Sequence, residues 1–280
     1  MTIREALRVG TARLERAGVP DADYDAAQLL ARILGEDALM MRIEGGRLLA
    51  QEKEAAFETL LARREKREPL QYILGDTEFM GLEFHVEPGV LIPRADTEVL
   101  CEEALRRIRP GMRVLDIGTG SGALAVSIKK HCPQADVTAV DVSDTALRVA
   151  GGNAERLHAD VRFVKSDCMT ALAGETFDVI VSNPPYISRE EMGELMPEVL
   201  MEPELALFGG EDGLDFYRRI AAEAPAHLTE QGCLIFEIGW LEKDGVQALL
   251  REHIGEPFAL RDYGGNWRVV GAVKGKKDAR

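Results

Sequence analysis

Paired cysteines are missing from this chain. Cys101, Cys132, Cys168 and Cys233 stand far apart, with no C-x-x-C among the 280 residues. Neither a disulfide framework nor a thiolate zinc site is expected, and the pattern fits reduced thiols in a cytoplasmic protein. The five histidines are equally scattered, so no metal site is expected. No apolar run approaches the ~20 residues of a membrane-spanning helix. The opening MTIREALRVG has no basic region followed by an apolar block, so no secretory leader is expected. Basic charge is short as well: 34 Lys and Arg against 48 Asp and Glu give a net charge of −14. Tight binding to a nucleic-acid backbone is driven by basic side chains releasing counterions, so direct nucleic-acid binding is not expected, although a local basic patch is compatible with this count. Internal repeats and low-complexity stretches are absent too.

The residues present suffice for a folded enzyme. The hydrophobic fraction is 46% and the charged fraction 29%, and the length fits one large domain or a medium domain with a small one. Charge is distributed unevenly. Residues 1–70 hold 12 basic and 13 acidic side chains, which leaves 22 basic against 35 acidic in the remainder. Two different surfaces, and two domains, are implied.

Residues 1–70 read as helices. TIREALRVGTARLERAG sets Ile3, Leu7 and Leu14 on one side, with Gly18 and Pro20 as stops. DADYDAAQLLARILG opens on acidic residues and ends at Gly35, and LLAQEKEAAFETLLARREKRE supplies a third helix with paired charges. Residues 69–92 are rich in Gly, Pro and aromatics. EFMGLEFHV reads as a hairpin turning at Gly81, in a linker between domains. RADTEVLCEEALRRI then predicts a helix capped by Asp96 or Thr97. The expected division is a helical domain over 1–72 for substrate recognition, a hairpin linker over 73–92 and a catalytic domain over 93–280.

From Met112 strands and helices alternate. RVLDIG, DVTAVDV, VRFVKSD, FDVIVSNPP and GCLIFEIG are strand-like; ALAVSIKKH, DTALRVAGGNAERL and LDFYRRIAAEAPAHL are helix-like. Near-continuous apolar strands separated by helices predict an α/β fold with a mostly parallel, Rossmann-like sheet. Ligands bind such sheets at the carboxyl ends of the strands. Polar features fall at four successive strand ends: the turn DIGTGSG, then Asp141, then Asp167, then NPPY.

Each feature has a chemical reading. Glycines at 118, 120 and 122 depart from the G-x-G-x-x-G spacing of a pyrophosphate cradle and suit a nucleoside ligand without that phosphate. Ile117, Gly118, Thr119, Gly120 and Ser121 are the candidate cofactor-binding residues there. Asp141 closes the second strand, where a carboxylate can accept from two ribose hydroxyls, or where it can simply cap the following helix as Ser143 or Asp144 could. Asp167 can accept from an adenine amino group with Cys168 against the ring, or be a solvated loop end.

Together these features resemble class I S-adenosylmethionine-dependent methyltransferases over roughly residues 90–273. That family implies S-adenosyl-L-methionine as cofactor, S-adenosyl-L-homocysteine as product and a seven-stranded sheet. NPPY looks like the motif of members that methylate a nitrogen whose lone pair is delocalised. Such a nitrogen must be held in line with the methyl group. The Asn183 side-chain oxygen and the Pro184 carbonyl can each accept one N–H of an NH2 group, Pro185 stiffens the corner, and Tyr186 can pack on the planar amide or base. Asn183, Pro184 and Tyr186 are thus the candidate catalytic residues, with Pro185 added for substrate binding and Asn183 also beside the cofactor. The motif alone permits adenine or a glutamine amide.

EPLQYILG, VLIPRADTEVL, DIGTGSGALAVSI, SNPPYI, EPELALFGGEDGLDFYRRI and DYGGNWRVV together resemble the HemK/PrmC family of peptide chain release factor glutamine methyltransferases, over nearly the whole chain. Ala95, Cys168 and the segment after Gly239 depart from its usual pattern. The resemblance implies methyl transfer to the N5 amide nitrogen of the Gln in a Gly-Gly-Gln loop of class-one release factors. It also implies a cytoplasmic protein with a protein partner and no membrane; a monomer is favoured. A ribosomal-protein glutamine, nucleic-acid adenine N6, or a non-catalytic binding role are the alternatives.

Overall fold

In a computed structural model that describes residues 1–275, the chain divides into two contact units. The smaller holds Met1–Asp76 together with Met196–Met201; the larger holds Thr77–Leu195 and the chain from Glu202 onward.

The smaller unit is helical: α1 (Ile3–Arg16), α2 (Ala22–Leu34), α3 (Ala38–Ile43), α4 (Gln51–Arg64) and α5 (Leu70–Leu74). Thr2 and Glu5 form a reciprocal capping box that starts α1. Gly35, in the left-handed region at φ 71°, ends α2 as its position in the sequence suggests. The short α3 is not apparent from periodicity. Asp37 starts it by accepting from the Leu39 and Met40 N–H groups. Ile3, Leu14, Leu29, Leu30, Met41 and Leu61 are fully buried between the helices. A buried ion pair joins α4 to α2, with Arg64 Nε 2.7 Å from Asp25 Oδ2. Glu198, in the segment 196–201, accepts from Arg64 Nη2 at 2.9 Å and Arg67 Nε at 2.5 Å.

The larger unit opens with a hairpin, β1 (Asp76–Phe79) and β2 (Leu82–His85). Met80 and Gly81 both take positive φ, 53° and 71°, as a two-residue hairpin turn requires. The linker reading of 73–92 is corrected here. Phe79 and Phe84 meet edge to face, 6.2 Å apart, inside a core cluster of the larger unit, so the hairpin belongs to that unit. The last five residues of the expected 93–280 domain lie outside the described residues.

There follow α6 (Thr97–Arg107), β3 (Arg113–Ile117), α7 (Ala123–His131), β4 (Asp136–Asp141), α8 (Asp144–Arg156), β5 (Val161–Lys165), β6 (Phe177–Ser182), α9 (Arg189–Met192), α10 (Asp215–His227), β7 (Leu228–Glu237), α11 (Lys243–His253), β8 (Pro257–Arg261) and β9 (Trp267–Val273). The seven-stranded sheet runs β5-β4-β3-β6-β7-β9-β8. Only β9 opposes its neighbours; the other pairings along β5 to β7 are parallel. One face is covered by α6, α7, α8 and the hairpin, through residues such as Leu100, Ala104, Val126 and Ile128. The other is covered by α10 and α11, through Tyr217, Ile220, Val246 and Leu250. Burial on both faces explains why these strands read as apolar runs. The strand order reverses beside β3, and register sets Ile117 level with Val140 on one side and Ser182 on the other. The polar residues after β3, β4 and β6 therefore emerge together at the switch point of the sheet. Among the described residues, no helix is long and apolar enough to cross a membrane.

Candidate cofactor and substrate site

The carboxyl ends of β3, β4, β5 and β6 open into a cleft with ≈ 840 Å³ of empty space, part of it open to solvent. Ile117, Gly118, Gly120, Asp141, Asp167, Cys168, Asn183, Pro184 and Pro185 of the predicted site line it. Apolar side chains complete it, among them Leu91, Val142, Leu205, Phe216 and Ile220.

The glycine turn is shaped for close approach. Gly118 and Gly120 have φ of 73° and 56°, and a Cβ on either would project into open space. The N–H groups of Gly118 and Thr119 both donate to the Val140 carbonyl, at 2.9 and 3.0 Å, which pins the turn to β4. Gly122 differs: a Cβ there would meet Ala150 of α8 at 3.0 Å. Thr119 and Ser121 stand apart from these glycines. Both are buried and neither lines the cleft. The Thr119 hydroxyl donates to Asp116 Oδ2 at 2.7 Å, and the Ser121 carbonyl accepts from Asn153 Nδ2 at 2.8 Å. They hold the turn from behind. Asp116 itself is fully buried with Oδ1 unpartnered, and burial pushes its carboxyl up to about 7.

Asp141 accepts from Gly120 N–H through Oδ2 and from Ser143 N–H through Oδ1, each at 2.9 Å. Burial raises its carboxyl while the backbone N–H groups pull it back. Capping of α8 falls to Ser143, whose hydroxyl accepts from Ala146 N–H. A carboxylate has about four acceptor positions, so two remain on Asp141 for a ligand. Asp167 reaches the cleft, but Oδ1 accepts from Arg219 Nη1 at 2.6 Å. Cys168 is buried against the cleft, and burial pushes its thiol up to about 11. A cradle open above two glycines, a carboxylate with spare acceptor positions and an apolar lining fit a nucleoside-bearing cofactor without a phosphate clamp.

At the end of β6, the Ser182 hydroxyl donates to the Ile117 carbonyl at 2.8 Å, joining this strand end to the glycine turn. Asn183 Nδ2 donates to Thr97 Oγ1 at 3.3 Å. The next residues are stitched to the segment 207–213: Ile187 N–H donates to the Leu207 carbonyl and Gly209 N–H to the Ile187 carbonyl, both at 2.9 Å. Gly209 and Gly213 allow this. A Cβ on either would lie within 2.7 Å of the backbone of Pro185 or Tyr186.

Tyr186 stands apart from the rest of its motif. It is not among the residues lining the cleft. Its ring turns inward, against the position a Cβ on Gly239 would take, and packs on the core beneath α10. Burial and nearby Glu237 push its hydroxyl pKa up. The expected capping of α6 is also revised: Asp96 makes no cap bond and pairs with Arg268 at 3.1 Å, while Thr97 is the first helical residue.

The sequence reading missed Thr97 as a site neighbour and missed Glu237 altogether. Glu237 ends β7 and is buried, with Oε2 unpartnered, and burial pushes its carboxyl up to about 7. The rule that located the other polar residues, a polar group at a strand's carboxyl end, applies to it equally.

The fold and this cleft define a class I methyltransferase that uses S-adenosylmethionine. Residues 94–207 match the family described as Methyltransferase small domain, and residues 5–75 match the PrmC N-terminal domain. A methyltransferase crystal structure from Pyrococcus furiosus superposes with a TM-score of 0.53 at 26% identity, over 70% of this chain and 90% of that one. The release factor glutamine methyltransferase of Geobacter sulfurreducens is 45% identical over 96% of each chain. That of Deinococcus radiodurans is 42% identical over 97% of this chain and 98% of its own. The chain belongs to the release factor glutamine methyltransferase family.

Proposed function

We propose that this protein transfers a methyl group from S-adenosyl-L-methionine to the side-chain amide nitrogen of the Gln in the Gly-Gly-Gln loop of class-one peptide chain release factors, in the cytoplasm. The observation that carries the reading is the position of Asn183 and Pro184, which line the same cleft as Gly118, Gly120 and Asp141. Relatives similar over almost the full length bear the name of this activity.

Bound in the cleft, S-adenosylmethionine supplies a methyl group on a positively charged sulfur. Gly118 and Gly120 let it approach the backbone, Asp141 accepts from the ribose hydroxyls, and Asp167 and Cys168 border the base. Asn183 Oδ1 and the Pro184 carbonyl each accept one N–H of the substrate amide. Two acceptors fix the plane of a poorly nucleophilic nitrogen and favour the positive charge that grows on it. Pro184 and Pro185, with the backbone bonds to 207–213, keep that pair of acceptors rigid. The methylated amide is a strong acid while it is cationic and gives its extra proton to water, so no general base is required. Tyr186 supports the loop from behind. The helical unit grips the release factor away from the reacting loop.

Incubating the protein with purified release factor and isotopically labelled S-adenosylmethionine, then mapping the label by mass spectrometry, tests this reading. Label is expected on the Gln of Gly-Gly-Gln. Label on another residue, or none, overturns the assignment.

A further inference from the structure

We propose that Trp240 and Leu241, on the loop between β7 and α11, are the docking surface for the glycine backbone that precedes the target Gln of the release factor. This rests on the reading above that Asn183 and Pro184 hold the amide of a Gly-Gly-Gln loop.

Sheet topology sets where the substrate chain runs. The nucleoside-binding residues follow β3, β4 and β5, which all lie on one side of β6. The residues that hold the target amide follow β6 itself, and β7 is the next strand on the other side. β6 and β7 are parallel, with Ser182 level with Phe236, so the chain leaving β7 emerges beside NPPY. The two loops pack together. A Cβ on Gly239 would lie 3.1 Å from Tyr186 Cδ2 and would collide with Glu242 Oε2. With the cofactor across the ends of β3 to β5, a polypeptide that brings an amide to Asn183 passes over the β7 side.

The loop after β7 is pinned at both ends. Ile238 is fully buried. Its N–H donates to the Arg268 carbonyl at 2.8 Å, and its carbonyl accepts from Arg268 Nη1 at 3.3 Å. At the other end the Glu242 carbonyl accepts from Val246 N–H at 2.9 Å, in the first turn of α11. Trp240 and Leu241 are the crown between these anchors, 63% and 64% exposed. Trp267 makes the contrast: its ring is partly buried and carries the Lys243 and Arg261 cations at 4.9 and 4.1 Å. Isolated apolar side chains on a surface are ordinary. An indole and a leucine side by side, on a fixed loop next to the substrate residues, are suited to anchor a partner, since ordering them costs little on binding.

The chemistry of the partner follows from the shape of glycine. Without a Cβ, two successive glycines present bare peptide planes, and a flat indole can lie directly on them. Any larger residue would hold the ring away. Leu241 extends the apolar surface. Selection of a Gln that follows two glycines then comes from this contact as well as from the amide acceptors.

Two measurements test the proposal. In the first, methyl transfer is followed against release-factor concentration. Trp240→Ala should raise KM for release factor about tenfold or more and leave kcat within about threefold, because the contact is made equally before and during transfer. S-adenosylmethionine affinity by calorimetry and the urea midpoint should stay at their wild-type values. Trp240→Phe should restore most of the lost affinity, and Leu241→Ser should raise KM less. A release factor with alanine in place of the glycine next to the Gln should raise KM for wild type and add little in Trp240→Ala. An unchanged KM in Trp240→Ala overturns the inference, as do fully additive effects of the two substitutions. The second measurement needs no turnover. The chain holds two tryptophans, so 5-fluorotryptophan labelling gives two fluorine resonances, assigned with Trp267→Phe. Unlabelled release factor, added with S-adenosylhomocysteine, should shift the Trp240 resonance and leave that of Trp267 in place. A Trp240 resonance that stays constant at release-factor concentrations that saturate methyl transfer overturns the inference. A Trp240 resonance that shifts while methyl label maps to a residue other than the Gln overturns the substrate reading instead.

Discussion

Adding one methyl group at each of two glycines in the DIGTGSG turn should have opposite consequences. Gly122 and Gly118 have nearly the same backbone, φ 83° and 73°. An alanine at either position is held in the left-handed region, at about 1–2 kcal/mol. A smaller unfolded ensemble returns about 0.4–1 kcal/mol to both variants. The difference lies in what the new Cβ meets. At Gly122 it meets Ala150 Cβ at 3.0 Å and Ala150 Cα at 3.1 Å. The second contact is backbone, so α7 and α8 must separate, and overpacking of this kind costs about 1–3 kcal/mol. Gly122→Ala should therefore lose about 2–4 kcal/mol of stability. At Gly118 nothing lies within 4 Å, so Gly118→Ala should lose about 1 kcal/mol or less in net terms. Its methyl group instead occupies the cleft where the ligand meets the turn, and affinity for S-adenosylhomocysteine should fall about tenfold or more, or ~1.4 kcal/mol. Urea unfolding measures the first quantity and isothermal titration the second. The reasoning fails if Gly122→Ala is as stable as wild type, or if Gly118→Ala binds S-adenosylhomocysteine with undiminished affinity.

Asn183→Ala should cut kcat by about 10²–10³, the scale of a lost oxyanion-type contact, with little change in cofactor affinity; a turnover near wild type removes Asn183 from the mechanism. Asp141→Ala should do the reverse, weakening S-adenosylmethionine binding in a calorimetric titration about tenfold or more, and leaving the Gly120 N–H without its partner. Stability should fall as pH rises from about 5.5 to about 7.5. Asp116 and Glu237, both raised to about 7, bind more protons folded than unfolded in that window. The contribution they lose is at most about 3–4 kcal/mol per group, and it is lost by the time pH exceeds the folded value. Urea midpoints across this range check the sign, and a midpoint that climbs instead contradicts the assignment.

The parallel sheet was legible because burial on both faces leaves a simple trace: apolar strands ending in polar or glycine residues. The same trace carried Gly118, Gly120, Asp141 and Asn183 to one cleft. Segments without a period were not legible. The short α3 depends on one cap at Asp37, and the hairpin looks like a linker until Phe79 and Phe84 are seen in the core. The cleft residues Leu91 and Leu205 come from stretches with neither strand nor helix spacing, and Phe216 lies in the first turn of α10.

Thr119, Ser121 and Tyr186 differ from their motif neighbours in where they lie. Adjacent residues in a motif were assigned to one ligand, yet a tight turn sends neighbours in opposite directions. Gly118 and Gly120 present backbone to the cleft, and the side chains of Thr119 and Ser121 are then directed behind it, to Asp116 and into the core. After β6, Asn183, Pro184 and Pro185 line the cleft, and the partly buried ring of Tyr186 packs against the core. The tyrosine of NPPY is held by packing. Its ring fills the space beside Gly239, and its backbone sits on Gly209 and Gly213 too closely for any Cβ. Tyr186→Phe keeps that packing and should therefore preserve kcat to within about twofold. Tyr186→Ala leaves a cavity worth about 3–5 kcal/mol and should lower stability and kcat together. If Tyr186→Phe loses activity while its stability is unchanged, the hydroxyl has a chemical part that this packing does not provide.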